Sequence, residues 1–153
     1  MMISAEVLVE SKNWKNIIQN PKKLVISILK RFPKNYKFIN KKTYITILLT
    51  DNKKIKLLNK KFRNKNKPTD ILSFPFFDKK NIKKVYKDKK FYLGDIAISY
   101  EEFSKKNKKN YSDGFIKILI HGFLHLLNFD HKLVKDYKLM NSIENKIYKK
   151  VKG

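Results

Sequence analysis

Ile3, Ala5, Val7 and Val9 alternate with more polar neighbours, a two-residue period that predicts a strand near the start of the chain. Residues 13–19 read as a short separate helix. Asn20-Pro21 then supplies an N-cap followed by proline at the first helical turn. Leu24, Val25, Ile28, Leu29 and Phe32 continue as a helical apolar stripe, which Pro33 stops. From Thr43 to Thr50 the string TYITILLT is rich in β-branched residues and predicts a second strand. Asp51 is placed to cap the next helix, with Ile55, Leu58 and Phe62 as its buried stripe. A loop rich in Lys and Asn ends at Pro68-Thr69-Asp70. Ile71 to Phe77 then reads as a strand ended or bent by Pro75.

Residues 78–90, DKKNIKKVYKDKK, read as a solvated lysine-rich excursion, and Phe91 to Tyr100 returns as a strand through Gly94-Asp95. A short polar helix over 101–110 precedes a long one, which Ser112 is expected to cap and which runs to about Leu127. The last helix, 133–150, is amphipathic, with Leu133, Tyr137, Met140, Ile143 and Ile147 on one face. No internal repeat or linker divides the chain. Short strands alternating with helices, and two helices at the end, predict an α+β fold. It is a single domain over residues 1–153, a small mixed β-sheet packed with several helices.

The 112–127 helix is apolar almost all round, which marks it as central and buried. Its polar side is a narrow stripe of Lys117, His121 and His125 at four-residue spacing. At about 100° per residue, the two histidines stand about 40° apart and can meet one ion. The third histidine of the chain, His131, follows six residues later in HGFLHLLNFDH. On a continuous helix it would lie about 120° away from the face of His125, so the chain must bend first. Asn128 is where the bend is cheapest, because asparagine tolerates the left-handed backbone region. Three imidazoles so assembled make a divalent-metal site with an open position, on the central helix and the turn after it. Zinc is the first choice; the ligand type also admits nickel, copper or iron.

The spacing matches that of H-E-x-x-H zinc proteases, with one decisive difference. Those enzymes place a glutamate after the first histidine as general base, and here that position is Gly122. Peptide hydrolysis by that mechanism lacks its proton acceptor.

Composition sharpens the picture. With no cysteine there are no disulfides, and cytoplasmic residence is the default expectation. No run approaches the roughly 18–20 apolar residues of a membrane span, and the N-terminus, with Glu6 and Glu10, has no signal-peptide pattern. The formal net charge of +24 suits a polyanion, most naturally nucleic acid. A lysine-rich, A/T-coded composition would also raise it without selection for binding. Among 37 basic residues only Arg31 and Arg63 are arginine. Where composition favours lysine, a retained arginine suggests a need for its planar fork, which makes Arg63 a candidate phosphate or carboxylate contact beside the plainer reading of a solvated arginine at a helix end. Arg31 reads as an exposed helix-end residue. Asp70 and Asp95 read first as structural carboxylates and second as proton-handling groups. Asp130 is placed either to orient a histidine or to make a turn. Phe91 and Tyr92 are open to base stacking or to core packing.

HGFLHLLNFDH resembles the H-G-x-L-H-L-x-G-[YF]-D-H signature of the YbeY-type endoribonucleases, the bacterial rRNA maturation factors. Leu58 to Pro75 (LNKKFRNKNKPTDILSFP) and Leu93 to Ser99 (LGDIAIS) are similar to two further blocks of that family, and Met140 and Glu144 resemble its closing helix. The resemblance implies a single-strand-specific, metal-dependent endoribonuclease of ribosomal RNA processing, notably at the 3′ end of small-subunit rRNA, and of ribosome quality control. It implies His121, His125 and His131 as metal ligands and Arg63 as the arginine linked to activity. The implied partners are single-stranded ribosomal RNA and the small ribosomal subunit. One departure is Asn128 in place of the usual glycine, a change worth about 1 kcal/mol in turn conformation. The residues alone also admit a metal hydrolase of another substrate, or a non-catalytic ribosome-assembly factor.

Overall fold

In the computed structural model, the residues described are 2–32, 42–78, 81, 90–129 and 133–153. Four strands form one mixed sheet: β1 (Met2–Val9), β2 (Lys42–Thr50), β3 (Ile71–Pro75) and β4 (Lys90–Ser99). Their spatial order is β1-β2-β4-β3. β1 runs parallel to β2, and β2 parallel to β4. β3 closes the edge antiparallel to β4. This is the mixed α+β architecture expected from the alternation of short strands and helices.

Among the described residues six helices pack around the sheet: α1 (Trp14–Ile17), α2 (Pro21–Lys30), α3 (Asn52–Arg63), α4 (Tyr100–Lys106), α5 (Tyr111–Leu126) and α6 (Val134–Lys152). Their ends follow local chemistry. The side chain of Asn20 accepts from Lys23 N, and that of Asp51 from Lys54 N, so both expected caps form. The cap of α5 differs from expectation. Asn110, in extended conformation, accepts from Asp113 N at 3.0 Å, and Ser112 lies within the first turn. Asn110 satisfies the open N–H of Asp113 and so starts the helix two residues before the point that Ser112 would have capped. Asn128 follows α5 at φ 67°, the left-handed bend foreseen for it, and its side chain donates to Phe77 O at 2.9 Å.

The larger core lies between one sheet face and α2, α5 and α6. Ile45, Ile47, Leu49, Leu93, Ile96 and Ile98 supply the sheet side, and Phe115, Leu119, Phe123 and Leu124 the helix side. Trp14 is fully buried there and donates its indole N–H to Thr50 O. A smaller cluster of Ile55, Leu72 and Ala97 joins α3 to the other face. Three expected core positions are exposed. Phe62 is 56% exposed, because α3 meets the sheet through Ile55 and Asn59 and its last turn overhangs. Leu133 and Tyr137 are exposed, because α6 begins to pack at Met140 and continues through Ile147 and Val151. Arg31 is exposed as expected, and Nη1 donates to Val151 O near the end of α6. Pro33 and most of the lysine-rich excursion lie outside the described residues.

A one-residue irregularity in β4 shapes the outer face. Tyr44 pairs with Tyr92 but Ile45 with Gly94, leaving Leu93 as an extra residue. Tyr92 and Asp95, three apart, therefore share a face, and the Tyr92 hydroxyl donates to the Asp95 carboxylate. Gly94 takes φ +144°, and a Cβ there would collide with Phe74 O and Leu126. Partial burial first, and then hydrogen bonding to Asp95, raises the Tyr92 pKa, so the hydroxyl stays a donor.

Candidate functional site

Helix α5 is buried along almost its whole length, and the polar stripe read from the sequence is where it reaches the surface. Lys117 is exposed; His121 and His125 are half-buried. The Nε2 atoms of the two histidines lie 3.1 Å apart, with the rings near perpendicular at a centroid distance of 4.6 Å. Their facing nitrogens fit a shared ion. Two imidazoles on a tetrahedral centre at roughly 2.0–2.1 Å would stand about 3.3 Å apart. The third predicted ligand, His131, and its neighbour Asp130 lie outside the described residues. Among the described residues no set of three His, Cys, Asp or Glu side chains converges on one point.

Glu144 is the functional candidate that the sequence reading left without a role. From α6, its Oε1 sits 3.1 Å from His121 Nδ1. With the proton on Nδ1, His121 donates to Glu144 and turns the Nε2 lone pair toward His125. The available signal was a lone glutamate in the last helix, one turn after the core residue Met140. A second tie holds α6 against α5: Asp113, in the first turn of α5, accepts from the Tyr148 hydroxyl and pairs with Lys117 and Lys152. The hydrogen bond from Tyr148 is the main reason the Asp113 carboxyl is held below its ordinary pKa. A hollow of about 320 Å³ opens beside the pair, lined by His121, Tyr137, Met140, Asn141 and Glu144. Replacing Glu144 with glutamine is expected to weaken zinc affinity by about 10- to 100-fold, as measured by competition against a chelator of known affinity. Unchanged affinity would mean the carboxylate does not orient His121.

Gly122 faces away from this hollow, into the sheet. A Cβ built there would approach Ile71 Cδ1 to 2.8 Å and Ile96 Cδ1 to 3.2 Å. The position lets α5 close on β3 and β4, so even a glutamate there would be directed at the core.

Arg63 ends α3, exposed, one strand away from the histidines. Its Nη2 donates to Ser73 O at 2.6 Å, and the guanidinium lies 5.5 Å from the Phe74 ring centroid. Ser73 Oγ in turn donates to Gly122 O, the residue after His121. Two hydrogen bonds through β3 thus connect Arg63 to the histidine helix. With Lys65, Lys67 and Lys106, Arg63 lines a cleft of about 400 Å³. Asn59 closes the intervening loop by donating to Lys67 O. Asp70 is structural here: its carbonyl accepts from Ser99 N and its carboxylate pairs with Lys106 at 3.3 Å. Asp95 is held by Tyr92 on the opposite sheet face from α5. Tyr92 is half-buried; the side chain of Phe91 lies outside what is described.

A mixed-sheet α+β protein, strongly basic, with a carboxylate-braced histidine pair at the surface of its central helix, defines a narrow class of candidate metal-site proteins. The chain belongs to the YbeY endoribonuclease family: the model of Endoribonuclease YbeY matches residues 8–152. It is similar to Endoribonuclease YbeY of Pelagibacter ubique, 52% identical over 99% of this chain and 97% of the relative. The Endoribonuclease YbeY of a Wolbachia from Drosophila simulans is 35% identical over 93% of this chain and 91% of its own length. A solution structure of a Thermotoga maritima protein matches the fold with a TM-score of 0.57 and 28% identity. That match covers 97% of this chain and 89% of the other.

Proposed function

We propose that this protein is a metal-dependent endoribonuclease that cuts single-stranded RNA. Its place is ribosomal RNA processing, at the 3′ end of small-subunit rRNA, and ribosome quality control in the cytoplasm. The small ribosomal subunit is the partner in this reading. The carrying observation is the pair of imidazole Nε2 atoms 3.1 Å apart, one of them backed by Glu144. The names of the relatives supply RNA cleavage as the chemistry to which such a site would be put.

His121, His125 and His131 would hold one ion, with zinc the first choice for three imidazoles. When bound, it would supply Lewis acidity toward a phosphate oxygen or a water. The chain's own residues do the rest. Glu144 keeps the proton on His121 Nδ1 and the ring in place. Arg63, already oriented by Ser73 O, clamps the scissile phosphate and offsets charge that develops as the bond breaks. Lys65, Lys67 and Lys106 hold the flanking backbone without reading sequence.

The test is metal analysis of the purified protein joined to cleavage assays before and after chelation. About one equivalent of zinc per chain is expected. Cleavage of single-stranded RNA should disappear with chelation and return with zinc, and duplex RNA should resist throughout. Undiminished cleavage by metal-free protein would overturn the reading. Metal loss that unfolds the chain, with no cleavage at any stage, would favour a structural metal in a non-catalytic assembly factor.

A further inference from the structure

The sheet face opposite α5 carries a run of aromatic rings outside the larger core and the histidine site, with Phe74 packed against the smaller cluster under α3. Phe62 and Phe74 meet edge to face at 5.3 Å, and Phe76 meets Tyr92 at 5.7 Å. The two pairs adjoin, because Phe74 is the register partner of Asp95, which holds the Tyr92 hydroxyl. Phe62 is 56% exposed and Phe76 65% exposed, high values for phenylalanine. Cations border the run: Lys61 Nζ lies 5.3 Å from the Phe62 centroid and Arg63 Cζ 5.5 Å from that of Phe74.

We propose that Phe62, Phe74, Phe76 and Tyr92 form a stacking platform for the bases of single-stranded RNA, leading to the histidine site around the edge strand β3. The proposal rests on the RNA reading above and adds where the strand lies. Exposed aromatic rings accept any base through its π-face, and a duplex offers no free face. This gives single-strand preference a physical origin. Charge decides the occupant: a chain of net charge +24, with Lys61 and Arg63 over the rings, suits a polyanion better than an apolar protein surface. It also decides the orientation. Glu6 and Asp95 share this face and repel phosphate, so the backbone runs on the Lys61 and Arg63 side with the bases turned inward over the rings. The edge strand then provides the route, because Arg63 is bonded to Ser73 O and Ser73 to Gly122.

The experiment is fluorescence anisotropy of a labelled single-stranded RNA of about twelve nucleotides, across a salt series. Phe62→Ala and Phe76→Ala are each expected to weaken binding about fivefold or more. The slope of log Kd against log salt should not change, since no phosphate contact is lost, and Phe76→Trp should retain affinity. Lys61→Gln should make that slope shallower by about 0.7. Full affinity in both alanine variants would overturn the platform while leaving the RNA reading intact. So would loss of self-association in place of loss of RNA binding, which would make this face an interface between copies. Failure of the unsubstituted protein to bind RNA would overturn the RNA reading and the platform with it.

Discussion

Replacing His121 with alanine is expected to abolish metal binding and lower cleavage of single-stranded RNA by about a hundredfold or more, equivalent to about 3 kcal/mol of transition-state stabilisation. The substitution removes one of the two nitrogens that face each other at 3.1 Å and strands the Glu144 carboxylate that braced it. A tetrahedral ion left with fewer imidazoles has no cysteine thiolate to replace the lost nitrogen. The fold should survive. His121 is half-buried on the one polar stripe of α5, and the apolar residues around the rest of that helix stay in place. Metal content, cleavage rate and thermal midpoint, measured on one preparation, separate the possibilities. Near-stoichiometric zinc with normal cleavage would sink the histidine site. A collapsed midpoint would instead show a structural histidine.

Arg63→Lys is expected to reduce kcat on single-stranded RNA by about 10- to 100-fold, with a smaller effect on KM. Lysine keeps the charge but loses the planar fork. Its single ammonium cannot hold Ser73 O in the present geometry and also grip a phosphate through paired N–H groups. Stability should change little, because the side chain is exposed. Steady-state kinetics on one defined RNA would decide the matter. Wild-type kcat would show that a point charge suffices and that no bidentate contact is made.

The fold was legible wherever neighbours in sequence decide conformation. The periods of β1, β2 and α5, the caps at Asn20 and Asp51, and the left-handed bend at Asn128 all follow from adjacent residues and appear as expected. The misplacements have a common cause. Ser112 was expected to cap α5, but Asn110 caps it two residues earlier through Asp113 N. Phe62, Leu133 and Tyr137 belong to apolar stripes, yet α3 overhangs the sheet at one end and α6 begins its packing only at Met140. A periodic stripe shows which face of a helix is apolar but not how far the partner surface extends.

The candidate site divides along the same line. The four-residue step from His121 to His125 on a buried helix brings both rings to one side whatever the rest of the chain does, so that pair was settled by the sequence alone. So was the lack of a glutamate directly after His121, since no fold can give Gly122 a side chain. Glu144 on His121, the Arg63–Ser73–Gly122 connection and the aromatic run were decided only by tertiary structure. Each joins residues from separate elements, and the aromatic run depends on the extra residue at Leu93 that turns Tyr92 and Asp95 to one face. Local backbone preference can place two ligands one turn apart. Only long-range pairing and register can set a carboxylate, a guanidinium or a ring beside them.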